Sequence, residues 1–170
     1  ASLKDMVHAN YKKKDIAGMT ASEQLEKINE RTRELVTLQY NTYNRSLVPL
    51  MHQHGIVVMD AFEDLSEAQA AFVDRYFEDN VYPVLTPMAV DASRPFPLIR
   101  NKTLNIAALL SKKKGKAEKE EIEFATVQVP SVLPRLVHIP SEDGNEKTFI
   151  LLEQVIERNI DKLFLNYDVL

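Results

Sequence analysis

Four imidazoles, His8, His52, His54 and His138, and no cysteine leave this chain with oxygen and imidazole chemistry alone. A metal centre needs several such side chains on one face. His52 and His54 are two apart, a spacing that splays them on a helix and aligns them only on a strand, and they fall where a helix is expected to end. They fit solvated or capping roles. His138 shares a strand face with Leu136, opposite Val137 and Ile139, and fits a buried or edge histidine. No serine stands in a G-x-S-x-G elbow. The four glycines, Gly18, Gly55, Gly115 and Gly144, each mark a break between elements, so neither a P-loop nor a dinucleotide fingerprint is present. Glu118, Glu120, Glu121 and Glu123 mingle with Lys112, Lys113, Lys114, Lys116 and Lys119, the mixture of a solvated hairpin tip.

One stretch holds positive charge on a stiff backbone. Pro83, Pro87, Pro95 and Pro97 exclude regular helix and fix an irregular path that ends in Arg100-Asn101-Lys102. Arg94, Arg100 and Lys102 are therefore the candidates for anion contact, because guanidinium and ammonium groups on a fixed backbone suit phosphate oxygens. The plainer reading is a rigid crossover that packs Phe96 and Leu98 against a sheet. Phosphoryl transfer also needs a nucleophile, a metal clamp and converging cations, and this sequence supplies scattered cations only. No catalytic residue and no metal ligand is expected in it.

The elements that position this stretch are written in periodicity and caps. Leu3, Met6, Val7 and Tyr11 have helical spacing. Thr20-Ala21-Ser22-Glu23 has capping-box spacing, and Leu25, Ile28, Thr32, Leu35, Val36, Gln39, Tyr43, Leu47 and Leu50 continue one face of a long helix. Pro49 predicts a kink near Arg45, and Gly55 a left-handed stop. Ile56 to Met59 reads as a strand. Ser66 with Gln69 starts another helix that should end before Pro83. Leu104 to Leu110, Ile122 to Val129, Leu136 to Ile139 and Thr148 to Leu151 are strand-length runs, expected to form an antiparallel meander. Leu152, Val155, Ile156, Ile160, Leu163 and Phe164 trace a last helix across that sheet, and Tyr167 to Leu170 begins a strand. The fold class is α+β: a long N-terminal helix plus a two-layer domain with an antiparallel sheet packed by helices.

Charge and composition narrow the class. Lys plus Arg total 21 and Asp plus Glu total 25, so the net charge is −4 and no nucleic-acid partner is expected. The longest apolar run, Ile106 to Leu110, is far short of the roughly 18 residues that span a bilayer. A cytoplasmic protein without a membrane span is expected. The chain opens inside a plausible helix and stops as a strand begins, as a portion of a longer polypeptide would.

The proline-rich stretch also carries a resemblance. Pro83-Val84-Leu85-Thr86-Pro87-Met88-Ala89-Val90-Asp91, then Pro95-Phe96-Pro97, then Asn101-Lys102-Thr103-Leu104-Asn105-Ile106-Ala107, is similar to the middle domain of polyphosphate kinases. Val129-Pro130-Ser131-Val132-Leu133-Pro134-Arg135 resembles a strand-exit motif of that family. Thr20 to Leu50, with Arg33-Glu34-Leu35-Val36 and Gln39-Tyr40, resembles its leading helix. The resemblance places residues 20–170 in the middle (head) domain, truncated at its C-terminus, and residues 1–19 at the end of the N-terminal helical domain.

It implies a kinase, a transferase that reversibly moves the terminal phosphate of ATP onto polyphosphate through a phosphohistidine. The phosphorylated histidine, the magnesium- and phosphate-holding arginines and the main nucleotide contacts belong to C-terminal domains whose motifs do not occur here. ATP and magnesium are thus expected for the full enzyme, with no cofactor bound by this stretch. ATP or ADP, polyphosphate and further copies of the chain in a homo-oligomer are the expected partners. The role implied is a non-catalytic one, supporting subunit association and the polyphosphate tunnel. A free-standing protein-interaction module remains the alternative from residues alone.

Overall fold

A computed structural model describes residues 2–90, 99–112 and 122–170. Packing divides it into two compact units, residues 1–53 and 54–170.

The first unit is helical. α1 (Leu3–His8) is closed by a capping box between Ser2 and Asp5, and α2 (Ala21–Thr42) by one between Thr20 and Glu23. The Thr20 N–H donates to Glu23 Oε2 at 2.7 Å, and the Glu23 N–H donates to Thr20 Oγ1 at 3.3 Å, so orphan donors of the first turn are satisfied reciprocally. At Tyr43–Leu47 the helix widens into a π-turn before α3 (Val48–Gln53). Pro49 has no N–H to give the carbonyl four residues back, and the kink expected near Arg45 takes this form. Ala21 is the buried residue of α2, while Ile28, Leu35, Tyr40, Leu47 and Leu50 remain exposed.

Near the start of the second unit Gly55, with φ 70°, stops the helix as expected. β1 (Ile56–Met59) follows, then α4 (Glu67–Tyr76), capped by Ser66 and Gln69 and extended by a π-turn at Phe77–Val81. Tyr82–Val84 is a 3-10 turn with Pro83 near its start. The strands are β2 (Met88–Val90), β3 (Asn105–Lys112), β4 (Ile122–Gln128), β5 (Leu136–Ile139), β6 (Lys147–Leu151) and β7 (Tyr167–Val169). Between β6 and β7 lie α5 (Leu152–Arg158) and a 3-10 turn at Ile160–Leu163.

The α+β class holds, but the expected meander does not. The strands divide between two sheets, β1-β6-β5 and β2-β4-β3-β7. β1 lies parallel to β6, with Ile56 opposite Lys147, while the remaining pairings are antiparallel. Residues 129–135, with two prolines that cannot donate to a ladder, separate β4 from β5 and let the second hairpin join β1 instead. The last helix is also shorter than its apolar face suggests. Asn159 is 3% exposed, with φ −109°, and its Nδ2 donates to the Val155 carbonyl at 3.1 Å, so the helix ends there.

One core serves both sheets. Val73, Phe77 and Val81 descend from α4 and its π-turn onto Ile106, Ala108 and Leu110 of β3 and Ala125 and Val127 of β4. Ile139, Ile150, Val155 and Ile156 complete it. The inner face of the larger sheet is thereby fixed, and the turn leading into β3 is anchored where the Val129 N–H donates to the Leu104 carbonyl at 2.9 Å.

Candidate functional site

Two of the three anion-contact candidates share one turn. Arg100 and Lys102 lie in the segment 100–103 that feeds β3, and both are exposed; Arg94 lies outside the described residues. The Thr103 hydroxyl donates to the Arg100 carbonyl at 2.8 Å and accepts from Asn105 Nδ2 at 3.0 Å. Those bonds hold the turn in shape. Lys102 has φ 61°, in the left-handed region that a lysine adopts at a cost, so the local bonds hold it against its own preference. Among the described residues neither Arg100 nor Lys102 has a carboxylate within ion-pair distance. Two cations on a tethered, solvent-facing turn can receive the oxygens of an extended anion.

Four other cations of this unit, Arg158, Lys162, Arg135 and Lys112, meet carboxylates. Arg158 grips Asp74 in a bidentate pair, Nε to Oδ1 at 2.8 Å and Nη2 to Oδ2 at 3.0 Å. One turn further on, Lys162 meets Glu78 at 2.7 Å and lies 5.9 Å from the centroid of the Phe77 ring. The Arg158 hydrogen bond holds the Asp74 carboxyl below the ordinary aspartate value, and the same bond raises Arg158. Arg135 Nε donates to Glu153 Oε1 at 3.1 Å. Lys112 meets Glu123 at 2.6 Å, and the Tyr167 hydroxyl donates to the same carboxylate at 2.9 Å. Glu157 is the one carboxyl pushed upward among the described groups with a resolved shift, first by burial and then by Glu153 and Glu63.

His8 and His52 sit in the last turns of α1 and α3, and His54 follows α3. His138 is exposed on the edge strand β5, its ring edge-on to Phe149 at 5.3 Å. Among the described residues no group of three or more His, Asp or Glu is placed to hold a metal ion. The ladder of Asp74 and Glu78 against Arg158 and Lys162 was not read from the sequence. Its partners lie 84 residues apart, so no local spacing announces the pairing.

The family model of the polyphosphate kinase middle domain matches residues 68–170, and that of the polyphosphate kinase N-terminal domain matches residues 1–59. This chain belongs to the polyphosphate kinase family. A polyphosphate kinase from Lactiplantibacillus plantarum is 49% identical over 169 residues, covering 99% of this chain and 23% of that protein. One from Halalkalibacterium halodurans is 45% identical over 170 residues with the same coverage. The crystal structure of polyphosphate kinase from Porphyromonas gingivalis superposes with a TM-score of 0.71 at 25% identity, over 86% of this chain and 23% of that one. The chain therefore spans about a quarter of the length of these polyphosphate kinases, and the resemblance seen in its proline-rich and leading-helix motifs is a true family relationship. Among the described residues no helix is long and apolar enough to cross a membrane.

Proposed function

We propose that this chain is the supporting part of a cytoplasmic polyphosphate kinase that moves the terminal phosphate of ATP reversibly onto polyphosphate. The phosphorylated histidine, the magnesium and the nucleotide contacts then lie in the remainder of the polypeptide. Here the chain shapes the mouth of the polyphosphate tunnel and contributes to association of subunits. The observation that carries this reading is the tethered turn, on which Arg100 and Lys102 stand two residues apart, exposed and without a carboxylate among the described residues. A polyanion with a charge on every phosphate gains from such a pair, and the gain falls with salt.

The test is charge reversal in the full-length protein. Arg94→Glu, Arg100→Glu and Lys102→Glu together should weaken use of polyphosphate at least tenfold while changing ATP affinity less than twofold. A tenfold loss is about 1.4 kcal/mol, within reach of two or three partly screened contacts. Unchanged chain elongation in the triple variant would make the turn purely structural. The same reading requires the 170-residue chain, given ATP, magnesium and a polyphosphate primer, to release no more ADP than buffer.

A further inference from the structure

A cleft of about 250 Å³ opens where residues 64–69, at the start of α4, meet the β1-β6-β5 sheet and the loop 142–146. Its floor is apolar. The parallel register sets Val57 beside Thr148, so Val57, Met59 and Thr148 share one sheet face, and Leu65 adds to the same lining. Gln69 fixes the walls. It is 5% exposed, its Oε1 accepts from the Ser66 N–H at 3.1 Å, and its Nε2 donates to the Pro140 carbonyl at 2.9 Å. The helix start and the chain entering the loop are thereby tied together. The loop is closed on itself where the Glu146 N–H donates to the Asp143 carbonyl at 2.9 Å.

Asp64, Glu142 and Glu146 line the cleft, and no lysine, arginine or histidine does. Among the described residues none of these three carboxylates has a cation within ion-pair distance. Thr148 is 4% exposed, and among the described residues its hydroxyl has no hydrogen-bond partner. A hydroxyl on so buried a residue is ordinarily satisfied by protein or by water. This one is not sealed from solvent, and the cleft is the space that Thr148 lines. The start of α4 is closed by its own capping box, Ser66 with Gln69, so the carboxylates set the sign of the site. Three carboxylates and a hydroxyl over an apolar floor suit a cation with an aliphatic stem. Its ammonium groups donate to carboxylate and hydroxyl oxygens while its methylenes cover Val57, Met59 and Leu65. Among the described residues no three acidic side chains converge as metal ligands would, which favours an organic cation over a bare ion. The volume is below the roughly 300 Å³ at which pockets for drug-sized molecules begin, so the ligand is small.

We propose that this cleft binds a small, linear aliphatic diamine, held through its ammonium groups by Asp64, Glu142, Glu146 and the Thr148 hydroxyl. The site shares no residue with the turn at 100–103, so it stands or falls apart from the tunnel-mouth reading. Calorimetric titration of the full-length protein with 1,4-diaminobutane at low salt should show saturable binding. Glu142→Gln together with Glu146→Gln should weaken that binding about fivefold or more. Thr148→Val should weaken it about threefold, and Thr148→Ser, which keeps the hydroxyl, should leave it intact. The paired glutamine variant carries the test if Thr148→Val fails to fold. Absence of saturable binding, binding that the glutamine variant leaves unchanged, or displacement of the diamine by magnesium chloride at equal concentration would overturn the proposal.

Discussion

Cutting the ion pair between Asp74 and Arg158 measures how much of the helix-to-helix packing is electrostatic. The perturbation is a double-mutant cycle with Asp74→Asn and Arg158→Met, run beside one with Glu78→Gln and Lys162→Met. The first pair is bidentate, with side chains 35% and 28% exposed; the second has one contact, and its side chains are 60% and 44% exposed. Charged hydrogen bonds contribute about 1.5–3 kcal/mol when shielded from water, and exposed ion pairs about 0.2–1 kcal/mol. Partial exposure puts the Asp74–Arg158 coupling at about 1 kcal/mol and the Glu78–Lys162 coupling at about 0.3 kcal/mol. Urea unfolding of all variants supplies both numbers. Because the folded-state pKa of Asp74 is depressed by Arg158, its stabilisation is complete above the unfolded aspartate value of about 4 and is lost as pH falls through the folded value. The coupling should therefore fade on acidification below that point. A Glu78–Lys162 coupling equal to or larger than that of Asp74–Arg158 would refute the argument from exposure and geometry.

Three single substitutions give further outcomes. Glu157 has its pKa raised by burial, so its charged form is penalised in the fold and stability drops as pH rises through the ordinary glutamate value of about 4.3. Glu157→Gln should raise the unfolding temperature at pH 7, and the advantage should vanish below about pH 4; an equal advantage at both pH values would contradict this. Gly55→Ala should cost about 2 kcal/mol, because a β-carbon there suffers the left-handed backbone and meets the Asn145 carbonyl oxygen at 3.3 Å. Gly18→Ala, at φ 79° with open space around it, pays the backbone part alone and should cost less in the same denaturation assay.

The caps at Thr20 and Ser66 were legible because every atom they need lies within three residues. The π-turn at 43–47 was visible as a kink because Pro49 lacks a donor. β2 was not visible: it is three residues long, lies in a proline-rich stretch, and exists by virtue of pairing with β4, thirty-odd residues away. The parallel match of β1 with β6 is equally non-local, and apolar runs carry no record of which partner they choose. Of the candidate site, the charges of Arg100 and Lys102 were plain. The left-handed backbone of Lys102 was not, since only glycine or asparagine would have announced it, and the hydroxyl of Thr103 that fixes the turn has no spacing signature. The Asp74–Arg158 bridge joins residues 84 apart, and no local rule anticipates it.

The widened turn at Tyr43–Leu47 amounts to one surplus residue wound into a continuous rod. Each residue of an α-helix advances the azimuth by about 100°. Deleting a single amino acid from 43–47 would let ordinary winding resume without breaking the rod, and Val48–Gln53 would keep its facing relative to Ala21–Thr42, because the widened turn already absorbs the advance of the extra residue. The helix thus carries an indel-tolerant joint, at which one residue can be lost without re-aiming its final turn and a half.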